Sequence, residues 1–383
     1  MNKKSKLILL IGLTVLLITA VVLLVVLSGK ENAPAPTEAP TAAATEAPTE
    51  APTEAPTEAP TEAPTEVPTE APTEAPTEPP ALYRDPLTGE PLDAPATSRL
   101  FAFSINNQVS ALPHVGTQKA GIVFEMYVNT ITRCLALYSD ISDVETIGAI
   151  RSMRYNFTDI CQAYDALMVH ASGSNKVLSD MRASGIDNVW VGASSKIGYR
   201  DQDRLNSGYE REHTMMVDVP GLYQYLKDKD YRLTASEENK TYGLNFVEDG
   251  TPADGEDANV IKITFRIFTN NTKLTTMTYD ESLGRYIYTQ YGRDGSKDDP
   301  ENFENVFVIK TKVPTVDEYQ IAELIGGGDG YYACNGKIIP IQWHREKDDA
   351  PFTFTLTDGT PLEQGIGNSY VAIVPLKSTV EWE

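Results

Sequence analysis

The chain has 383 residues, 32 basic and 54 acidic, for a net charge of −22, and only three cysteines. Such a balance excludes a nucleic-acid partner, which needs a basic stripe for phosphates, and three thiols are too few for a disulfide scaffold, so they are expected buried and free. The first 80 residues hold 4 of the basic and 11 of the acidic groups, leaving 303 residues with a net charge of −15 and enough length for two domains.

Lys3, Lys4 and Lys6 precede an uncharged apolar run at 7–27. At about 1.5 Å per residue the run spans roughly 31 Å, the thickness of a bilayer's hydrocarbon core, and so predicts a transmembrane helix. The lysines place residues 1–6 in the cytoplasm and the rest outside the membrane. The run is longer than the apolar core of a cleaved signal peptide. No cysteine near its end could carry a lipid, since the first in the chain is Cys134. Within 28–80 a Thr-Glu-Ala-Pro unit repeats. Proline at every fourth position blocks helix, and like charges repel, so this segment is expected to be a disordered, extended stalk. At about 3.1 Å per residue its repeats reach roughly 130 Å.

The folded part divides near residue 235 into segments 85–235 and 241–383. In the first, strands are predicted at 100–105, 121–128, 132–138, 145–150 and 167–171, with helices at 158–166, 175–182 and from 218 to 229. This is α/β punctuation. In the second, short β-branched and aromatic runs at 260–268, 275–279, 285–290, 305–312, 331–334, 337–343, 352–356 and 370–374 predict a mainly antiparallel β domain. Asn335-Gly336 and Asp358-Gly359 suit tight turns, and the glycine string 326–330 reads as a mobile turn before a hairpin.

The stretches 101–125, Ile131-Thr132-Arg133, Gly148-Ala149-Ile150-Arg151-Ser152-Met153-Arg154 and Val169-His170-Ala171-Ser172-Gly173-Ser174 resemble the DUF3048 family of YerB-like envelope lipoproteins. Gly326 to Gly330, Asn335-Gly336-Lys337, Trp343 and the segment 365–375 resemble that family's C-terminal domain. The resemblance implies a two-domain envelope protein of unassigned activity. Family members tend to carry Pro-His-Asn where this chain has Glu212-His213-Thr214, and they are commonly lipid-anchored.

The candidate site follows two successive strands. Arg151 and Arg154 lie between the strand ending at Ile150 and a helix; His170, Ser172, Gly173 and Ser174 lie between the next strand and another helix. If those strands are parallel neighbours, both loops open at one carboxyl edge, where α/β folds place ligands. Helix-start amides and guanidinium forks there favour a phosphate or carboxylate. Alternatively, the arginines pair with Glu125, Asp159 or Asp165 and only fasten loops. A three-residue turn after Val128 would put Glu125 and Arg133 on one face, whereas a two-residue turn at Asn129-Thr130 would separate them; a charge inside an apolar strand needs a partner, which favours the former. Arg200 sits on a charged loop that could close over the site, and His213 is a further ligand-binding candidate.

The four histidines lack metal-ligand spacing, no phosphate-loop or hydrolase motif is present, and neither metal nor cofactor is expected. Two functions remain: a membrane-anchored module binding an anionic envelope component or an envelope protein, or an enzyme on an envelope polymer using Glu125 or His170 as acid or base.

Overall fold

A computed structural model describes residues 83–192, 196–237, 240–268, 271–290, 293–294 and 301–383. The predicted transmembrane helix and stalk lie outside the described residues. Among the described residues, no helix is long and apolar enough to cross a membrane.

The apolar runs of the first segment become β1 (Phe101–Asn106), β2 (Ile122–Val128) and β3 (Ile131–Tyr138), the first two buried along their whole length. Strands covered on both faces read as continuous apolar runs rather than as alternation. Between β2 and β3 the turn uses two residues, with Asn129 at φ 72°, a left-handed conformation that Asn tolerates. Met126 therefore opposes Arg133, and Glu125 opposes Cys134. The three-residue turn is thus corrected, and because strand side chains alternate, Glu125 and Arg133 face opposite sides of the sheet.

The remaining principal elements are β4 (Thr146–Gly148), α1 (Tyr155–Ala163), β5 (Leu167–His170), α2 (Asn175–Ser184), β6 (Asn188–Trp190), β7 (Gly198–Arg200), α3 (Gln202–Asn206), β8 (Met215–Asp218) and α4 (Val219–Asp228). The second segment supplies β9 (Val260–Phe268), β10 (Asn271–Asp280), β11 (Arg285–Gln290), β12 (Asn305–Thr311), β13 (Gly326–Cys334), β14 (Lys337–Arg345), β15 (Thr353–Leu356), β16 (Ser369–Pro375) and β17 (Thr379–Trp382). The described region is mostly strand, with few helices.

Both segments build one eleven-stranded sheet. Its order runs from Glu256–Asp257 through β14, β13, β12 and β16, then β2, β3, β1, β5 and β6, with β15 attached to β14. The join is a parallel ladder in which Ser369 pairs with Ile122 and Ile373 with Met126. The β12–β16 ladder is parallel as well, so the second segment departs from the antiparallel expectation there. A second sheet built on β11, β10, β9 and β17 covers one face, packing Ile263, Phe265, Met277 and Tyr288 against Val123, Tyr127 and Tyr370. The other face is closed over the first segment by α1 and α2, whose Phe157, Ile160, Val177 and Met181 meet Phe124, Leu135 and Leu137.

Gly326 to Gly330 form part of β13 rather than a mobile turn. A Cβ on Gly330 would collide with the Val308 carbonyl of β12, and one on Gly328 would lie 3.0 Å from the Trp343 ring nitrogen. Close approach of neighbouring chains, not turn geometry, selects glycine here. Cys134, Cys161 and Cys334 are all buried and free, as expected.

Candidate functional site

β1 and β5 are parallel, and β3 runs antiparallel to β1, so the ends of β1 and β5 and the start of β3 share one edge of the large sheet. Asn106, His170 and Arg133 sit there. The expected parallel pairing of the strand before Arg151 with β5 does not occur. That strand, β4, pairs with β8 in a separate three-stranded sheet, ordered β4-β8-β7. The two loops nevertheless meet, through bonds between their backbones. Met153 N–H donates to the Ser172 carbonyl at 2.7 Å, and Ala171 N–H to the Arg151 carbonyl at 2.9 Å. Arg151 N–H donates to the Ser104 carbonyl of β1 at 2.8 Å, and Arg133 Nη1 to the Ser152 carbonyl at 2.7 Å.

Arg133, Arg154 and Arg200 each lie in the electrostatic field of Arg151. Arg133 is 1% exposed, and its guanidinium is held well below its ordinary pKa by burial and then by Arg154 and Arg151. Burial also lowers Arg154, with Arg151 adding to it against Tyr319, and lowers Arg200, with Arg211 and Arg151 adding to it. The Nε atoms of Arg133, Arg151, Arg154 and Arg200 are all shielded from solvent without a hydrogen-bond partner. Among the described residues, the carboxylate within 4 Å of any of the four is the half-exposed Glu212, 3.7 Å from Arg151. The acids expected to neutralise them are engaged elsewhere: Glu125 with Lys273, Asp165 with Arg232 and Arg99, and Asp159 in the field of Arg345. Like charges crowded in a partly buried site repel, and a hydrogen-bonding anion relieves both the repulsion and the orphaned donors.

The loop after β5 is firmly built. His170 Nδ1 meets the Ser172 carbonyl at 2.9 Å, and Nε2 meets the Asn188 side-chain oxygen at 3.2 Å. Burial keeps the imidazole below its usual pKa against the pull of these two bonds. Both nitrogens are thus occupied in fastening the loop. A Cβ on Gly173 would lie 2.9 Å from Leu178, and the Ser174 hydroxyl caps α2 by accepting from Val177 N–H. The first turn of α1 has no side-chain cap.

Residues 198–206 form β7 and α3 rather than an open loop. Arg204 is buried, donating to the Ala111 carbonyl at 2.8 Å and to those of His213 and Pro113. His213 is buried beside the site, with Nδ1 at 2.8 Å from Asn106 Nδ2 and Nε2 at 3.0 Å from Ser110 Oγ. Both ring nitrogens are engaged, and the carboxylates of Glu210 and Glu212 lie close enough to an imidazole nitrogen of His213 to surround a cation together with it.

Glu125 lies on the opposite face and is fully buried. Lys273 Nζ sits 2.6 Å from its Oε1, while Tyr370, Thr275 and Tyr288 hydroxyls donate to Oε2 at 2.7, 3.2 and 3.3 Å. Lys273 is sandwiched by Phe265 and Tyr288, and burial lowers its pKa against the pull of Glu125. The network continues through Asn107 to Gln290 and is a bond between the two halves of the chain. Glu125 and His170, the two acid–base candidates, are each enclosed, on different sides of one sheet. Sequence reasoning missed Lys273, Tyr288, Tyr370 and Asn106. A lysine at an inward position of the alternating strand β10 was the available signal.

Two family models match the chain. The one described as "Protein of unknown function (DUF3048) N-terminal domain" covers residues 87–232, and the corresponding C-terminal domain model covers 262–371. The protein called "Putative lipoprotein YerB" of Bacillus subtilis is 25% identical over 300 residues, covering 76% of this chain and 86% of that relative. The crystal structure of the YerB protein from Bacillus subtilis matches with a TM-score of 0.66 at 23% identity, over 78% of this chain and 99% of the solved one. At that identity the match shows a shared fold.

Proposed function

The chain belongs to the DUF3048 family, and we propose that it is a membrane-anchored, extracytoplasmic binding module that holds an anionic envelope component at Arg133, Arg151, Arg154 and Arg200. One observation carries the reading: Arg133, Arg154 and Arg200 each lie in the repelling field of Arg151, and all four keep a shielded Nε donor unpaired with one half-exposed carboxylate nearby. In a domain of strongly negative charge, such a cluster is a local inversion of field. It favours a compact phosphate or carboxylate over a dense polyanion, which the rest of the surface repels. The laced backbones of the two loops fix the guanidinium positions in advance, which limits the ordering cost of binding.

The anchor is read from the sequence. The relative's name describes a lipoprotein, but here the first cysteine, Cys134, is buried in β3 and cannot carry a lipid. The apolar run 7–27, long enough for a bilayer's hydrocarbon core, supports attachment by a helix in this reading.

The reading is tested by thermal melting of the full-length chain in non-ionic detergent with inorganic phosphate, pyrophosphate or a short polyprenyl phosphate. A ligand at about a hundred times its Kd stabilises by about 2.7 kcal/mol, a rise of roughly 5 °C for a domain this size. Arg151→Ala combined with Arg154→Ala is expected to abolish that rise. An unchanged rise in the double variant would remove the arginine cluster from the site.

A further inference from the structure

Trp190, the last residue of β6, is 61% exposed, the most exposed large apolar side chain among the described residues. It is nevertheless fixed. Its Nε1–H donates to the Ala171 carbonyl at 2.9 Å, and the Gly192 backbone lies against the ring so closely that a Cβ there would stand 3.1 Å from Cζ2. Val191 N–H is bonded to the His170 carbonyl at 2.8 Å, which ties the residue after Trp190 to the loop entering the arginine site. The N–H of Ala171, the residue whose carbonyl holds the indole, donates to the Arg151 carbonyl. Indole and arginine loop are therefore set on either side of a single residue.

Resting on the anion reading above, we infer that Trp190 is a stacking platform for a sugar ring, and that the ligand class is an acidic glycan bearing a phosphate or carboxylate. An exposed tryptophan held by its ring nitrogen shows one flat apolar face to solvent, the shape complementary to the C–H face of a pyranose. The residue joining it to the Arg151 loop, Ala171, is small, so a saccharide can lie across it with its acid on the guanidinium groups. The rigid indole and the cation cluster together supply the two contacts such a ligand requires, a ring face and an anion.

The test uses the full-length chain, titrated with inorganic phosphate, with an oligosaccharide carrying one phosphomonoester, with the same oligosaccharide lacking it, with a nucleoside monophosphate, and with anionic lipid vesicles. Calorimetry and tryptophan emission are the readouts, compared with Trp190→Ala, Trp190→Phe and Arg151→Ala/Arg154→Ala. The phosphosaccharide is expected to bind about ten- to a hundredfold tighter than phosphate, the size of one aromatic stacking contact, and to perturb the emission. Trp190→Ala should lose that increment and the emission change while phosphate binding stays the same, and Trp190→Phe should recover part of it. Equal phosphosaccharide affinity in wild type and Trp190→Ala, with phosphate still bound, overturns the platform and leaves the anion site standing. Tighter binding of the nucleotide, or binding to vesicles alone, overturns the glycan class. Absence of any anion binding overturns both readings.

Discussion

Lys273→Met removes the ammonium that neutralises Glu125 while keeping the length and apolar body of the side chain. Glu125 would remain fully buried with the Tyr370, Thr275 and Tyr288 hydroxyls but no counter-charge. Breaking a buried ion pair from one side costs about 3–5 kcal/mol, and the retained hydroxyl donors favour the lower end; the lost cation–π contacts with Phe265 and Tyr288 add about 1 kcal/mol. The expected loss is about 4 kcal/mol, a large share of an ordinary stability of about 5–15 kcal/mol. Urea titration followed by far-ultraviolet circular dichroism and tryptophan fluorescence measures it. Glu125→Gln combined with Lys273→Met should be less destabilised than Lys273→Met alone, because no unpaired charge remains, giving a coupling of at least about 1 kcal/mol. A loss below about 1 kcal/mol for Lys273→Met, or strict additivity in the double variant, would refute the assignment of this pair as the bond between the chain's two halves.

Two further outcomes are expected. Burial lowers the His170 pKa, so below the unfolded-chain value of about 6.5 the unfolded state takes up a proton that the folded state refuses; stability should fall from about pH 7 towards 5, and His170→Gln should flatten that dependence in urea midpoints measured across the range. Gly330→Ala would drive a methyl group into the Val308 carbonyl and should cost about 2–3 kcal/mol by the same titration, where a loss below about 0.5 kcal/mol would contradict the close-packing explanation of the glycine string.

Strand positions were legible because short β-branched and aromatic runs bounded by turn residues have few other fates; the predicted 260–268 and 285–290 coincide with β9 and β11. Register was not, at the point where it mattered. The turn at Asn129-Thr130 was decided by seeking a partner for Glu125 on the adjacent strand, whereas the partner is Lys273 on a strand of the other half, a pairing no local pattern encodes. The meeting of the 150–154 and 170–174 loops was anticipated through a parallel pairing that the chain does not make. It arises instead because β1 bonds to both, through Ser104 to Arg151 and through its ladder with β5. Arg204 stands among the charges of 199–204 in sequence, yet its side chain gathers the carbonyls of Ala111 and Pro113 from a distant segment along with that of His213, and only the folded chain brings those together. Trp190 carried no sequence signal, since exposure belongs to the fold.

The most direct measurement is a calorimetric titration of pyrophosphate into the full-length chain and into the Arg151→Ala/Arg154→Ala variant, with circular dichroism confirming that both are folded. One site per chain in the wild type and none in the variant is the expected result. Equal binding by both, or a folded wild-type chain that takes up no anion, would contradict an arginine cluster built to hold one.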